Sequence, residues 1–191
     1  MDNFKYKILP NLPIYIAELS IDYIYAENIE LIRIWRNQQK RVLRQKHEIS
    51  PKKQIEYFKE FVWSELDSLE PSQILLSINM HETLIGYGGF VHINWENLEA
   101  EISFLLKTEI TKEIEQYSRV FSNFLACIEL IGRDYLKFKK LTLETYEFRR
   151  KHIQVIEDSR YTRVAANKIE AYTVKPKYNS IWHYKELKTS D

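Results

Sequence analysis

The hydrophobic pattern of this chain changes period in its middle third, and the change locates the most informative segment. Residues 84–93 (LIGYGGFVHI) and 98–106 (LEAEISFLL) are rich in strand formers and flank the polar turn Trp95-Glu96-Asn97, which reads as a β-hairpin. Beyond it, apolar residues fall at Tyr117, Phe121, Phe124, Ile128, Ile131 and Tyr135, steps of three and four that only a helix places on one face. A strand that feeds a helix start can grip an anionic ligand, because the N–H groups of the first helical turn have no partners within the helix.

The same reasoning assigns the rest of the chain. Residues 14–21 read as a first strand, and residues 27–38 as a helix burying Ile29, Ile32 and Trp35. Ser50-Pro51 starts a second helix, with serine as cap and proline at the first position; Ile55, Phe58, Val62 and Leu66 form its apolar side. Residues 73–79 form a strand ahead of the hairpin, and residues 141–146 another after the long helix. Residues 148–159 form a short helix with Phe148, Val155, Ile156 and Ser159 inward, and residues 172–174 and 181–184 alternate enough to close the sheet. The order β-α-α-β-β-β-α-β-α-β-β predicts an α/β (α+β) fold: a mixed, mostly antiparallel sheet of about seven strands flanked by four helices, in one domain over residues 1–191.

Composition narrows the class. With 191 residues, 45% of them hydrophobic and 14% aromatic, the chain can bury a full core. A formal net charge of +1 gives no global field that selects for nucleic acid or for a membrane surface. No run of 18 apolar residues occurs and the first residues lack a signal-peptide core, so the expectation is a soluble, cytoplasmic protein. The single cysteine, Cys127, excludes an internal disulfide framework and reads as a helix packing residue. The five histidines show no close metal spacing, and no metal is expected. Nucleophile-elbow, Walker and dinucleotide glycine motifs are all missing.

Several side chains carry candidate chemistry. In residues 99–106 the alternation puts Glu99, Glu101, Ser103 and Leu105 on one face, and Ala100, Ile102, Phe104 and Leu106 on the other. A mid-strand carboxylate among apolar residues is costly unless solvated or paired, so Glu101 reads either as a general base or as a surface acid paired with a lysine of the next strand. Trp35-Arg36-Asn37 precedes a basic stretch, Lys40, Arg41, Arg44, Lys46 and His47. Arginines there could hold a phosphate bidentately and Trp35 could stack on a ring; alternatively the cations offset a helix dipole and Trp35 is core. His92 stands near a strand end, where it is a substrate contact or a structural histidine. Aromatic density near the end of the chain (Tyr161, Tyr172, Tyr178, Trp182, Tyr184) fits a homodimer surface or core packing equally.

From residue 14 to residue 187 the chain resembles the GNAT superfamily of acyl-CoA-dependent N-acyltransferases. The carrying strings are IELIRIWRN, LIGYGGFVHINWENLEAEISFLL and LKFKKLTLETYEFRRKHIQVIEDSRY. W-R-N and A-E-I-S are similar to the branch holding ribosomal-protein N-terminal and amino-sugar acetyltransferases; E-T-Y-E-F-R-R-K-H-I and N-S-I-W-H are most similar to its polysaccharide-pathway members. The resemblance implies acetyl-CoA as donor and Glu101 as base. It implies backbone at Ser103, Phe104, Leu105 and Leu106 along pantetheine, in a gap beside the fifth strand. It also implies Trp35, Arg36, Asn37 and His92 bordering the acceptor.

Three departures from the family pattern stand out. Residues 107–119 (KTEITKEIEQYSR) lack the glycines of the pyrophosphate loop, so Lys112, Ser118 and Arg119 are expected to compensate. The usual asparagine before the last helix falls at Arg149, and the frequent tyrosine acid falls at Ile156. Thiolate protonation then falls to Tyr146, Tyr117 or solvent. The resulting expectation is an acetyl-CoA-dependent N-acetyltransferase acting on an amino-sugar nucleotide in surface-polysaccharide synthesis. The alternatives are a protein N-terminal or other small-amine acetyltransferase, and a non-catalytic scaffold of the same shape.

Overall fold

The computed structural model describes residues 4–9, 11–43, 45–164 and 180–188. The strand expected at residues 172–174 lies outside them, as do Arg44 and Tyr178. Among the described residues the strands are β1 (Ile14–Ile16), β2 (Leu19–Tyr23), β3 (Ile74–Met80), β4 (Thr83–Asn94), β5 (Glu99–Leu106), β6 (Lys140–Tyr146), β7 (Thr162–Arg163) and β8 (Ser180–Glu186). The helices are α1 (Ile29–Gln38), α2 (Pro51–Tyr57), α3 (Ile114–Leu130) and α4 (Arg150–Asp158). One sheet runs in the order β1-β2-β3-β4-β5-β6-β8-β7, and its pairs are antiparallel except for β5 with β6. This is the mixed, mostly antiparallel architecture that the pattern predicts.

The departures have local causes. Residues 14–21 form two strands, because Ala17 takes a positive φ of 51° and turns the chain in two residues. The helical stripe slips phase where the backbone widens into π turns, Phe58–Val62 after α2 and Ile131–Tyr135 after α3. Tyr135 is therefore exposed rather than buried. In α2, Gln54 is buried in place of Ile55, and its amide donates to the carbonyl of Ile29 at 3.2 Å. Phe148 is 39% exposed because α4 begins only at Arg150; its ring stacks on Tyr146 instead. Ser50 caps α2 as expected, accepting from Lys53 N at 3.3 Å. Tyr161 and Trp182 are buried, so core packing accounts for that part of the aromatic cluster.

The sheet separates two cores. Ile74, Leu76, Ile78, Ile102 and Leu106 pack with Phe121, Phe124 and Ile128 of α3 and with Val155 and Ile156 of α4. Leu75, Tyr87 and Leu105 face the other way, onto Ile32 and Trp35 of α1 and Phe58 and Val62 beyond α2. Cys127 is buried in the first core, and burial pushes its thiol up to about 12, an inert packing residue.

Two irregularities shape the middle of the sheet. β4 shifts register between Val91 and Asn94, with His92 at φ 50° inside the bulge. β5 and β6 pair for only three positions, ending at Glu101 with Thr142, although both strands continue beyond them. Lys140 and Glu99 close the paired end with an ion pair at 2.6 Å. Past Thr142, β6 stays with β8, and a gap opens between β5 and β6.

Gly89 tests how tightly β4 is held. Its φ is +139°, and a Cβ there would lie 2.1 Å from the carbonyl oxygen of Ile74. Gly89→Ala is expected to destabilise by about 1–3 kcal/mol in urea unfolding. Gly132→Ala, whose Cβ would meet nothing nearer than 3.4 Å, is expected to be neutral or up to about 1 kcal/mol stabilising.

Candidate active site

The parted strands enclose a cavity of about 210 Å³. Because residues opposite one another in a parallel pair share a face, the Glu101–Thr142 register puts Glu101 and Ser103 on the same side as Glu144 and Tyr146. All four line the cavity, with Val42 and Leu43 from the α1–α2 connection and Arg149 and His152 from the start of α4. A wider cavity of about 510 Å³ shares Val42, Arg149 and His152 with the first and continues outward past Gln38, Arg41, Tyr117, Arg150 and Lys151. The two make one groove. Carboxylates stand at its inner end, Arg149 borders both parts, and further cations stand at its outer end.

The carboxylate of Glu101 is 22% exposed, and His92 Nε2 on the bulged strand approaches it at 3.9 Å. The lysine of the adjacent strand, Lys140, sits opposite Glu99 and pairs with it, one turn of the pleat away from Glu101. At the outer end, the guanidinium of Arg41 lies 4.7 Å from the centre of the Phe148 ring, so the α1–α2 connection leans across the groove onto the entry to α4.

A buried polar chain joins α3 to α4 between the two cavities. Arg149 Nη2 donates to Tyr117 Oη at 3.3 Å, and the Tyr117 phenol is in turn hydrogen-bonded to His152 Nδ1. Burial, reinforced by the Arg149 and His183 charges, holds the His152 imidazole well below its usual range, so the ring is neutral at physiological pH. Burial pushes the Tyr117 phenol up to about 12 against the opposing pull of Arg149, so it keeps its proton. A protonated phenol can donate to Nδ1 of a neutral ring, and in that tautomer the imidazole proton is on Nε2. Phe121 stacks on the imidazole at 4.3 Å and 8°.

The structure brings some of the expected site residues together and disperses others. Glu101, Ser103, Phe104, Tyr146 and Arg149 meet at the first cavity. Leu105 and Leu106 are core residues, and the Leu106 carbonyl accepts from Gln39 Nε2 at 2.7 Å. Trp35 is buried in the α1–α2 core. Asn37 holds the chain after α1, donating to Ile49 O at 2.9 Å and accepting from Ile49 N and Gln45 Nε2. Arg36 lies 6.0 Å from the Tyr57 ring, its charge acts on the buried Tyr87 phenol, and its buried Nε has no partner among the described residues, so its guanidinium serves the interior. Ser118 donates back to Ile114 O at 2.8 Å. Arg119 pairs with Glu18 at 2.6 Å, tying α3 to the β1–β2 turn, and Lys112 is exposed outside both cavities.

The segment before α3 explains why those expected cations are elsewhere. It winds into a 3₁₀ turn, Ile110–Lys112, in which the N–H groups of Ile110, Lys112, Glu113 and Tyr117 bond carbonyls of the same stretch. These four N–H groups are consumed internally, and the charged groups that an anion in the outer cavity meets are side chains: Arg41, Arg149, Arg150 and Lys151. Sequence reasoning missed Arg150 and Lys151, although the R-R-K-H run at a helix start was their signal. It also missed Glu144, which sits mid-strand among apolar residues just as Glu101 does.

The model of the acetyltransferase (GNAT) domain matches residues 21–182. The chain belongs to the GNAT acetyltransferase family. Among solved structures it resembles spermidine N-acetyltransferase from Vibrio cholerae in complex with CoA and spermine, at TM-score 0.71 and 13% identity, over 89% of this chain and 96% of that one. It also resembles a chimera of the Vibrio cholerae enzyme and hSSAT, at TM-score 0.70 and 13% identity, over 90% and 96%. At such identities the likeness is one of fold. No curated protein sequence matches the chain. Among the described residues no group of three or more His, Cys, Asp or Glu stands where it could hold a metal, and no helix is long and apolar enough to cross a membrane.

The state of His152 links this GNAT site to stability. An imidazole that stays neutral when folded but protonates near pH 6.5 when unfolded makes the unfolded state bind more protons below that value. Stability should therefore fall as pH drops below about 6.5, by up to about 1.4 kcal/mol per pH unit for one such site. Urea unfolding between pH 7.5 and 5.5 checks this, and His152→Phe should flatten the slope whatever it does to the absolute value.

Proposed function

We propose that this chain transfers the acetyl group of acetyl-CoA to the primary amine of a small molecule, with Glu101 as the base. The polarity of the groove carries the reading. Two carboxylates, Glu101 and Glu144, border the inner cavity, which suits an ammonium group. Four cations border the outer one, which suits the phosphates of CoA. Glu101 takes a proton from the ammonium, the free amine attacks the thioester carbonyl, and strand N–H groups along the gap stabilise the developing oxyanion. Tyr146, stacked on Phe148 at 5.4 Å, walls the cavity opposite β5 and confines the acyl group.

The strings shared with polysaccharide-pathway members favour a second reading, in which the amine belongs to an amino-sugar nucleotide. That acceptor brings a diphosphate of its own, and the arginine expected to clamp it, Arg36, is packed against Tyr57 and Tyr87. The groove therefore supports a compact amine better than an anionic nucleotide.

Acetyl transfer to spermidine, glucosamine, a UDP-amino sugar and an alanine-terminated peptide, followed by CoA release, separates these acceptors. Turnover is expected with a compact amine and not with the nucleotide; the reverse order would restore the amino-sugar-nucleotide reading. Glu101→Gln should lower kcat about 10²–10⁴-fold with an unchanged melting temperature. Activity within threefold of the parent at every pH would assign the base elsewhere.

The outer cations make a separate prediction. Arg150→Ala and Lys151→Ala should weaken acetyl-CoA in calorimetry, more so at low salt, and leave acetyl-pantetheine unchanged, because only the former carries phosphates. Equal weakening of both ligands would move the phosphate site away from α4.

A further inference from the structure

We propose that His152, supplied by Tyr117, gives the departing CoA thiolate its proton. The inference rests on the transferase reading above. Ile156, where the family's tyrosine acid is expected, is fully buried in the core and has no proton to give. His152 lines both cavities, so it stands where a thioester arm passes from the cationic mouth to the carboxylate end. Its Nδ1 is hydrogen-bonded to Tyr117, and in the tautomer where Nδ1 accepts, the neutral ring carries its proton on Nε2. The Phe121 stack fixes the plane of the ring.

The chain of donors continues past the imidazole. Tyr117 Oη accepts from Arg149 at 3.3 Å, and Tyr117 itself lines the outer cavity. The charged and titratable groups around His152 are thus Arg149 on its own turn, Tyr117 from α3, His183 from β8, and Glu101, Glu144 and Tyr146 across the inner cavity.

The step balances. As the tetrahedral adduct collapses, the C–S bond breaks and its electron pair goes to sulfur. Sulfur takes the Nε2 proton while Nδ1 takes the Tyr117 proton. The phenolate left behind is stabilised by Arg149 and takes its proton back from Nδ1 as solvent reprotonates Nε2, which restores the starting tautomer. Two protons leave the acceptor nitrogen through Glu101 in turn, one from the ammonium and one from the adduct, and solvent returns one to the imidazole, so ammonium and thioester become amide, thiol and one proton in solution. Arg149 and Tyr117 act through His152 and are positioning residues.

The test compares leaving groups. An alkyl thiolate such as CoA needs protonation, whereas the stabilised aryl thiolate released from S-acetyl-thionitrobenzoate does not. With the acceptor amine that the parent turns over fastest, His152→Phe, which keeps the stack on Phe121, should lower kcat on acetyl-CoA about 10²-fold with little change in its KM. On the aryl donor it should stay within about threefold of the parent. Tyr117→Phe removes one oxygen and should show the same donor dependence at about tenfold, which keeps the question open to refutation if His152→Phe fails to fold. Equal losses on both donors would overturn the proposal in favour of a packing role. No loss on acetyl-CoA, or the donor-dependent loss appearing in Tyr146→Phe instead, would overturn it too. A parent that releases CoA with none of the acceptors overturns the transferase reading, and this one with it.

Discussion

The parting of β5 from β6 after Glu101 and Thr142 is the constraint on which the rest of the site depends. Three paired positions and the Lys140–Glu99 ion pair hold the strands together at one end. Beyond them β6 follows β8, and β5 follows β4. Unpaired strand edges inside a protein cost free energy unless something satisfies them. Here the gap is open to the groove, where water or an extended ligand can bond those edges. The register at the seam also decides which side chains meet, because it sets Glu101 and Ser103 on the same face as Glu144 and Tyr146.

α3 and α4 close the other side of that gap through polar as well as apolar contacts. The same stretch of α3 that contributes Phe121 and Phe124 to the core sends Tyr117 to His152. The rigidity of the imidazole is therefore inherited from the core: the ring is stacked on Phe121, and its nitrogen is tied to a helix that cannot move without disturbing Phe124 and Ile128. Burial holds the imidazole neutral and the phenol protonated over the physiological range.

Much of this architecture was legible in the sequence, because its signals are periodic. The alternation in residues 98–106 names the faces of β5 and singles out Glu101, and the stripe from Tyr117 to Ile131 names the buried side of α3. What escaped was non-periodic or long-range. The β1–β2 turn at Ala17-Glu18 carries no glycine, asparagine or proline, so two strands read as one. Tyr135 and Ile55 were misassigned because π turns and a buried Gln54 alter a phase that a fixed 3.6-residue period takes as constant. The members of the W-R-N string line neither cavity and instead hold α1 to its neighbours, a division of labour that spacing does not reveal. Tyr117 and His152 lie 35 residues apart and meet only once α3 and α4 have packed.

The 3₁₀ turn ahead of α3 has a consequence for how such a protein can change over generations. A phosphate cradle made of backbone N–H groups is nearly immune to point substitution, since almost every residue supplies the same donor. Here four of those N–H groups are spent within the stretch, and the exposed cations Arg150 and Lys151 facing the outer cavity are side chains, each removable by a single codon change without disturbing a strand or a core. On the proposed reading, the grip on the donor is thus decoupled from the integrity of the fold. Preference among carriers that differ in phosphate number or position can drift one residue at a time, along a path that a glycine-rich loop would close off.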